Sequence, residues 1–310
     1  MTDQQSTITG AEIISAYKSD VEEFFQPTVG FRLEIVDGGT DLPKCIGAGD
    51  QARISLSRDI YEKPIKSYAD MMLVLIVLGH ETAHYLHRHN EYITEVLEER
   101  RGREMWSDHY GMKIAMVVQH SSRIKAIREK LPNCTTVNER IDGIASALGT
   151  LAVSYFFGGA TRYPSTNTRV AVCIAGFNSY LTRFFTLKGE VEALMSGAGI
   201  QAIQRAHDPQ AHLQRQIYVY HRVMNEPRLK ALPHDELQDL SDEQNAIIYG
   251  MHRKIQADRK ALFDGMNSFP AQYLRLDYSL SEEERAKRAA EGRQNFEKTY
   301  EAWSNGLAEN

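Results

Sequence analysis

Two imidazoles and a carboxylate stand together in His80-Glu81-Thr82-Ala83-His84, an H-E-x-x-H arrangement. On an α-helix, residues four apart share a face, about 40° apart around the axis and about 6 Å along it. His80 and His84 can therefore present two ring nitrogens to one metal ion. Glu81 lies about 100° further round, near enough to polarise a bound water without taking a ligand position. Zinc held this way lowers the pKa of a coordinated water to about 7, and the neighbouring carboxylate can take the proton as the oxygen attacks a carbonyl. The pattern fixes only three positions in five, so a helix can also carry it with no chemistry attached.

A catalytic zinc usually takes three protein ligands and keeps a fourth position open. The metzincin spacing does not supply the third, because its glycine and histidine positions hold His87 and Asn90. Three ligands spread over two turns of one straight helix would not converge, so His87, Arg88 and His89 read as the polar end of the helix. A second helix offers another solution. Over 97–120 the run Arg103-Glu104-Met105-Trp106-Ser107-Asp108-His109-Tyr110-Gly111 puts Glu104 and Asp108 on one face. Gly111, one turn on, permits close helix approach. Glu104 would complete the zinc site, and Asp108 could accept a ring N–H from a ligand histidine and fix its tautomer. The competing reading makes both acids part of a solvated face, as Glu95, Glu98 and Glu99 are expected to be.

HETAHYLHRH followed by REMWSDHYG resembles the gluzincin pattern of H-E-x-x-H with a later E-x-x-x-D. More narrowly, it resembles the HtpX-like and CAAX prenyl protease family of zinc endopeptidases. That family's first element, H-E-x-x-H-x-x-x-R-H, is matched through Arg88 and His89. In the second, R-E-x-E-A-D-x-x-G, Glu104, Asp108 and Gly111 agree, while Trp106 and Ser107 replace glutamate and alanine. The third, H-P-x-x-x-x-R, corresponds to Tyr163-Pro164-Ser165-Thr166-Asn167-Thr168-Arg169, with tyrosine for histidine. The resemblance covers roughly 70–175. It implies a proteolytic centre of one zinc ion, with His80, His84 and Glu104 as ligands and Glu81 as base.

A phenol is a neutral hydrogen-bond donor, and the oxyanion of a tetrahedral intermediate needs one. Tyr163 could do what the family's histidine does, or it could be an ordinary residue of a Tyr-Pro turn. Arg169 could hold a substrate carbonyl or anchor the loop to a carboxylate of the site.

These groups need scaffolding on both sides. Residues 10–26 read as an amphipathic helix opened by a Thr9/Glu12 capping box and ended by Pro27. Phe31–Val36 and Ala52–Ser57 read as strands. An edge strand of such a sheet can pair with an extended substrate, or the sheet can simply pack the active-site helix. That helix, expected over 66–89, has an apolar run of nine residues, Met71 to Gly79, far short of the roughly 20 that span a bilayer. The uncharged stretch 143–161 is a stronger membrane candidate, but its small residues suit a buried, closely packed helix, and no membrane span is expected. Arg169–Leu187 reads as a further apolar helix. Beyond Gly189 the chain reads as helical and more polar, with a Ser281/Glu284 capping box opening a last helix to about 304. His207, His212, His221, His234 and His252 have no ligand spacing and read as ordinary polar residues, one of which could supply the oxyanion donor if Tyr163 does not.

A formal charge of −5 over 310 residues argues against nucleic-acid or anionic-membrane binding. Cys45, Cys134 and Cys173 are odd in number and far apart, which suits a reducing compartment. The first ten residues show neither positive charge nor an apolar segment, so no signal peptide is visible and a cytoplasmic location is expected.

The expectation is an α+β, mostly helical fold. A zincin-like catalytic core with a small sheet would occupy 1–187, and a helical C-terminal subdomain 188–310. The expected activity is zinc-dependent endoproteolysis of a protein or peptide substrate. Two other readings stay open: a zinc-binding regulatory protein without turnover, and an intracellular protease effector of toxin or phage-defence type with one host target. Oligomeric state is not legible.

Overall fold

The computed structural model describes residues 8–25, 29–39, 42–91, 96–156, 163–196 and 208–232, together with 252, 254–255, 257–264, 274 and isolated positions between 287 and 302. In chain order the elements are α1 (Gly10–Glu22), β1 (Ile35–Asp37), β2 (Lys44–Ile46), β3 (Arg53–Leu56), α2 (Arg58–Glu62), α3 (Tyr68–Leu86), α4 (Leu97–Val118), α5 (Ser122–Arg128), α6 (Val137–Ser154), α7 (Thr166–Ser196), α8 (Pro209–Met224), α9 (Pro227–Lys230) and α10 (Lys260–Asp264). The fold is mostly helical with one small sheet, as the sequence leads one to expect.

Helix α3 is the axle. Ser67 caps it, its hydroxyl accepting from the Asp70 N–H at 3.1 Å and donating to the Asp70 carboxylate at 2.8 Å. From Met71 to Gly79 every residue is buried, because α1, α4, α6 and the sheet surround this stretch. A helix apolar on all faces needs partners on all faces. One tie is polar: the buried Tyr17 hydroxyl of α1 donates to Thr82 Oγ1 at 2.8 Å. Helix α3 ends at His87, and Arg88 follows with φ 53°, a left-handed turn that brings His89 back against the helix it has just left.

Helix α4 lies against α3 at two glycines. A Cβ on Gly111 would stand 2.5 Å from the His80 nitrogen, and one on Gly79 would stand 2.2 Å from the Gly111 carbonyl oxygen. The backbones can meet only because neither residue has a side chain. On its other side α4 carries α7, and α6 packs α3 from a different face. Helices α8 and α9 then dock onto α6, where Arg222 holds Asp142 through two hydrogen bonds of 2.6 and 2.7 Å.

The sheet is ordered β1-β3-β2, with β1 parallel to β3 (Ile35 opposite Ile54) and β2 antiparallel to it (Cys45 opposite Ile54). The strand expected at 52–57 is realised over Arg53–Leu56, whereas of the one expected at 31–36 only Ile35 and Val36 are in a strand, which runs on to Asp37. Strand β2 is unforeseen: three residues between Pro43 and Gly47 are too few to show alternation. It is an outer strand and packs on α3.

The expected boundary at 187/188 falls inside continuous α7. Later residues also return to the first part of the chain: the buried Tyr110 hydroxyl donates to the Leu274 carbonyl at 2.7 Å, and Arg259 donates to the Leu86 carbonyl. Among the described residues, all three cysteines are free thiols and no helix is long and apolar enough to cross a membrane. Helix α6 ends at Ser154, short of the uncharged stretch's end at 161. The Ser281/Glu284 capping box lies outside the described residues.

Gly111→Ala is expected to cost about 1–3 kcal/mol, the usual range for overpacking a tight contact. Denaturant unfolding of the variant beside the parent checks this; an unchanged midpoint contradicts the close approach.

Candidate metal centre

Helix α3 supplies two imidazoles and α4 a carboxylate, and the glycine contact brings them within reach of one point. His80 Nε2 and His84 Nε2 lie 3.1 Å apart. The Glu104 oxygens lie 3.4 Å from His80 Nε2 and 3.7 Å from His84 Nε2. These three residues form the one group among the described residues whose donor atoms could hold a metal ion, all lying within 4.8 Å of one another. Donors about 2.0–2.2 Å from a tetrahedral zinc are themselves about 3.3–3.6 Å apart. The observed separations bracket that range, so the donor set fits such an ion.

Behind the donors stands a buried charge network. His80 Nδ1 is 2.8 Å from Asp108 Oδ1, close enough to pair although the oxygen lies off the ring's N–H axis. Asp108 accepts two hydrogen bonds from Arg169, from Nε at 2.8 Å and Nη2 at 2.9 Å. Burial alone would raise the Asp108 carboxyl; Arg169 and His80 overrule it and hold it below its usual range. Burial likewise opposes charge on His80, yet Asp108, Glu104 and Glu81 push its pKa up to about 10 in the metal-free protein. Glu104 is held well below the usual carboxylate range, its burial outweighed by the two histidines. With His80 neutral, the carboxylates of Glu81, Glu104 and Asp108 against the guanidinium of Arg169 leave two negative charges, which a divalent cation would cancel.

Glu81 is 6% exposed and stands outside the donor set. Burial raises its carboxyl above the ordinary range, against the pull of His80, His84 and the backbone N–H of Cys45, which donates to it from β2. A carboxylate made more basic in this way suits proton transfer near neutral pH.

The structure places Arg169 against the carboxylates of the site. At 7% exposure, with Nε and Nη2 both on Asp108 and Nη2 4.0 Å from Glu104, it anchors the carboxylates. Its Nε and Nη2 are engaged by Asp108, which realises the anchoring reading. Phe156 covers the guanidinium, 3.9 Å from ring centre to its central carbon. Tyr163 is 42% exposed, its ring 5.7 Å from the same carbon, so the structure puts the phenol beside the anchor and open to solvent.

Sequence reasoning misjudged three histidines. His87 is fully buried and His89 is 5% exposed, so neither forms a polar helix end, and His252, read as an ordinary polar residue, is fully buried. His87 packs edge-on against Trp106, Tyr110 and His252, and burial pushes its pKa down to about 3. His89 Nδ1 lies 2.9 Å from His84 Nδ1 and 3.2 Å from the Ser107 hydroxyl, while His89 Nε2 lies 2.7 Å from His252 Nε2. The Arg-His pair after the motif was the visible signal for His89. Nothing in the spacing could have flagged His252, 163 residues away.

No protein-family model, curated protein or solved structure matches this chain.

The metal-loaded chain is expected to carry one zinc ion, and stripping it with chelator to lower the melting temperature. A ligand at 100 times its Kd adds about 2.7 kcal/mol to the folded state. Glu104→Ala and His84→Ala should each lose the bound ion by elemental analysis; a variant that keeps full stoichiometry is not missing a ligand.

Proposed function

We propose that this protein is a zinc-dependent metalloendopeptidase of gluzincin type. The observation that carries the reading is the convergence of His80 and His84 from α3 with Glu104 from α4, beside a buried Glu81 that is not one of the donors. Two imidazoles and one carboxylate with room for a further ligand suit zinc among the common divalent ions. Zinc held there supplies Lewis acidity, making a water acidic near pH 7 and polarising a carbonyl.

The chain's own residues do the rest. Glu81 takes the proton from the attacking water on its carboxylate and passes it to the leaving amine. The Cys45 N–H that donates to Glu81 keeps the carboxylate aimed at the site. Asp108, braced by Arg169, holds the His80 ring in place. Among the described residues β2 is an outer strand of the sheet and lies next to Glu81, so an extended peptide laid along it would pass the site, which favours a protein or peptide substrate. Tyr163 is the donor assigned to the oxyanion.

Glu81→Gln is expected to leave zinc content and fold intact while turnover falls by at least about 10²–10⁴-fold, the share of a general acid–base group. Cleavage of a proteome-derived peptide mixture, with and without chelator, reads this out. Full activity in Glu81→Gln overturns the mechanism. A parent protein that binds zinc stoichiometrically and cleaves nothing supports the regulatory alternative instead.

A further inference from the structure

We propose that His89 and His252 are positioning residues for the metal ligand His84, forming a file of imidazoles that runs from the zinc site to the C-terminal part of the chain. This rests on the metal site proposed above, and deepens it.

The hydrogen-bond arithmetic is constrained. If His84 gives Nε2 to the metal, its remaining ring proton must sit on Nδ1, which then needs an acceptor. The atom in reach is His89 Nδ1, at 2.9 Å, with the ring planes 84° apart. An acceptor at Nδ1 forces the His89 proton onto Nε2. That atom lies 2.7 Å from His252 Nε2, which accepts in turn. Each ring thereby fixes the tautomer of the one before it, and His84 is left with its lone pair on the metal side.

The rings are also seated. Ser107, one turn from both Arg103 and Gly111, reaches His89 Nδ1 from α4 at 3.2 Å, and Arg103 donates to the His89 carbonyl at 2.9 Å. His252 stacks on Trp106 with centroids 4.2 Å apart and planes within 13°. The left-handed turn at Arg88 is what lets the chain double back so that His89 meets His84. A non-glycine residue in that conformation costs energy that the surrounding contacts must cover, which is expected where a side chain is being aimed. Because His252 comes from far along the chain, the C-terminal region completes the surroundings of the metal site.

The test is zinc affinity by chelator competition on the full-length protein. His89→Ala is expected to weaken zinc about 10–100-fold, the usual effect of removing an outer partner of a ligand histidine. His252→Ala should weaken it by less. The double variant should be no weaker than His89→Ala, because the file is already broken. His89→Asn places an acceptor oxygen near the Nδ1 position and should recover most of the loss. His212→Ala, on α8, serves as the control and should not move the affinity. In the cobalt-substituted protein, the His84 Nδ1 proton should give a slowly exchanging, hyperfine-shifted resonance that exchanges faster in His89→Ala. Equal zinc affinity in parent and His89→Ala overturns the proposal, as does a loss that His89→Asn shares in full. A parent that binds no zinc overturns the metal site itself, a result separable from failure of the file alone.

Discussion

The contact between Gly79 and Gly111 is the constraint from which the centre follows. Ligands on one helix can converge only when spaced by one turn, so a third ligand must arrive from another element. The distance of that element's axis sets whether a glutamate carboxylate falls within bonding range. Helix α4 approaches until its backbone touches that of α3 at His80 itself. From that contact Glu104 lies two turns back toward the N-terminus of α4, opposite the His80–His84 face, and Asp108 lies one turn back, behind His80. Moving the helices apart by the width of a methyl group would shift both acids together. A metal site would tolerate little of that, because donor distances vary by only about 0.2 Å.

The same contact creates an electrostatic problem. Two buried carboxylates, Glu81 and Asp108, and the partly buried Glu104 crowd one small volume, and a buried charge is costly unless it is paired. Asp108 is answered by Arg169, whose guanidinium is itself covered by Phe156. Glu104 and Glu81 stand against His80, whose pKa they and Asp108 push up to about 10, and a divalent cation there would answer them in its place. The site is therefore organised for positive charge before any ion arrives. A metal binding there would exchange a proton for an ion without leaving the acids exposed to one another. The asymmetry between the acids follows from placement: Glu104 faces both imidazoles and stays ionised, while Glu81 faces the sheet and becomes the more basic carboxylate.

Legibility in the sequence tracked the range of each interaction. Helices α3 and α4 announce themselves through periodicity and the motif, since both signals repeat within a turn or two. The close approach at Gly111 was readable too, because a glycine one turn beyond Asp108 has few other uses. Strand β2 was not readable: at three residues it owes its form to pairing with β3, not to its own pattern. Arg169 was half readable, its charge and spacing visible but not the partner that claims it. His87 and His89 look like a solvated helix end in one dimension, and only the left-handed turn at Arg88 and the packing of Trp106 turn them inward. His252 carries no local pattern at all, because the contact that defines it joins residues far apart in the chain.

That last point bears on how the fold divides. A boundary near 187 would make the later helices an appendage that shapes a cleft wall or meets a partner. Instead α7 crosses the boundary unbroken, Leu274 accepts from Tyr110, Arg259 donates to the C-terminal end of α3, and His252 contacts His89, which in turn lies against His84. Each of these contacts lands within a few residues of the metal centre or on the helices that carry it. The C-terminal residues therefore act on the last turn of α3, where His84 and the chain reversal at Arg88 must hold their shape together. A centre built from one helix pair gains its rigidity from chain laid down long after the motif has ended.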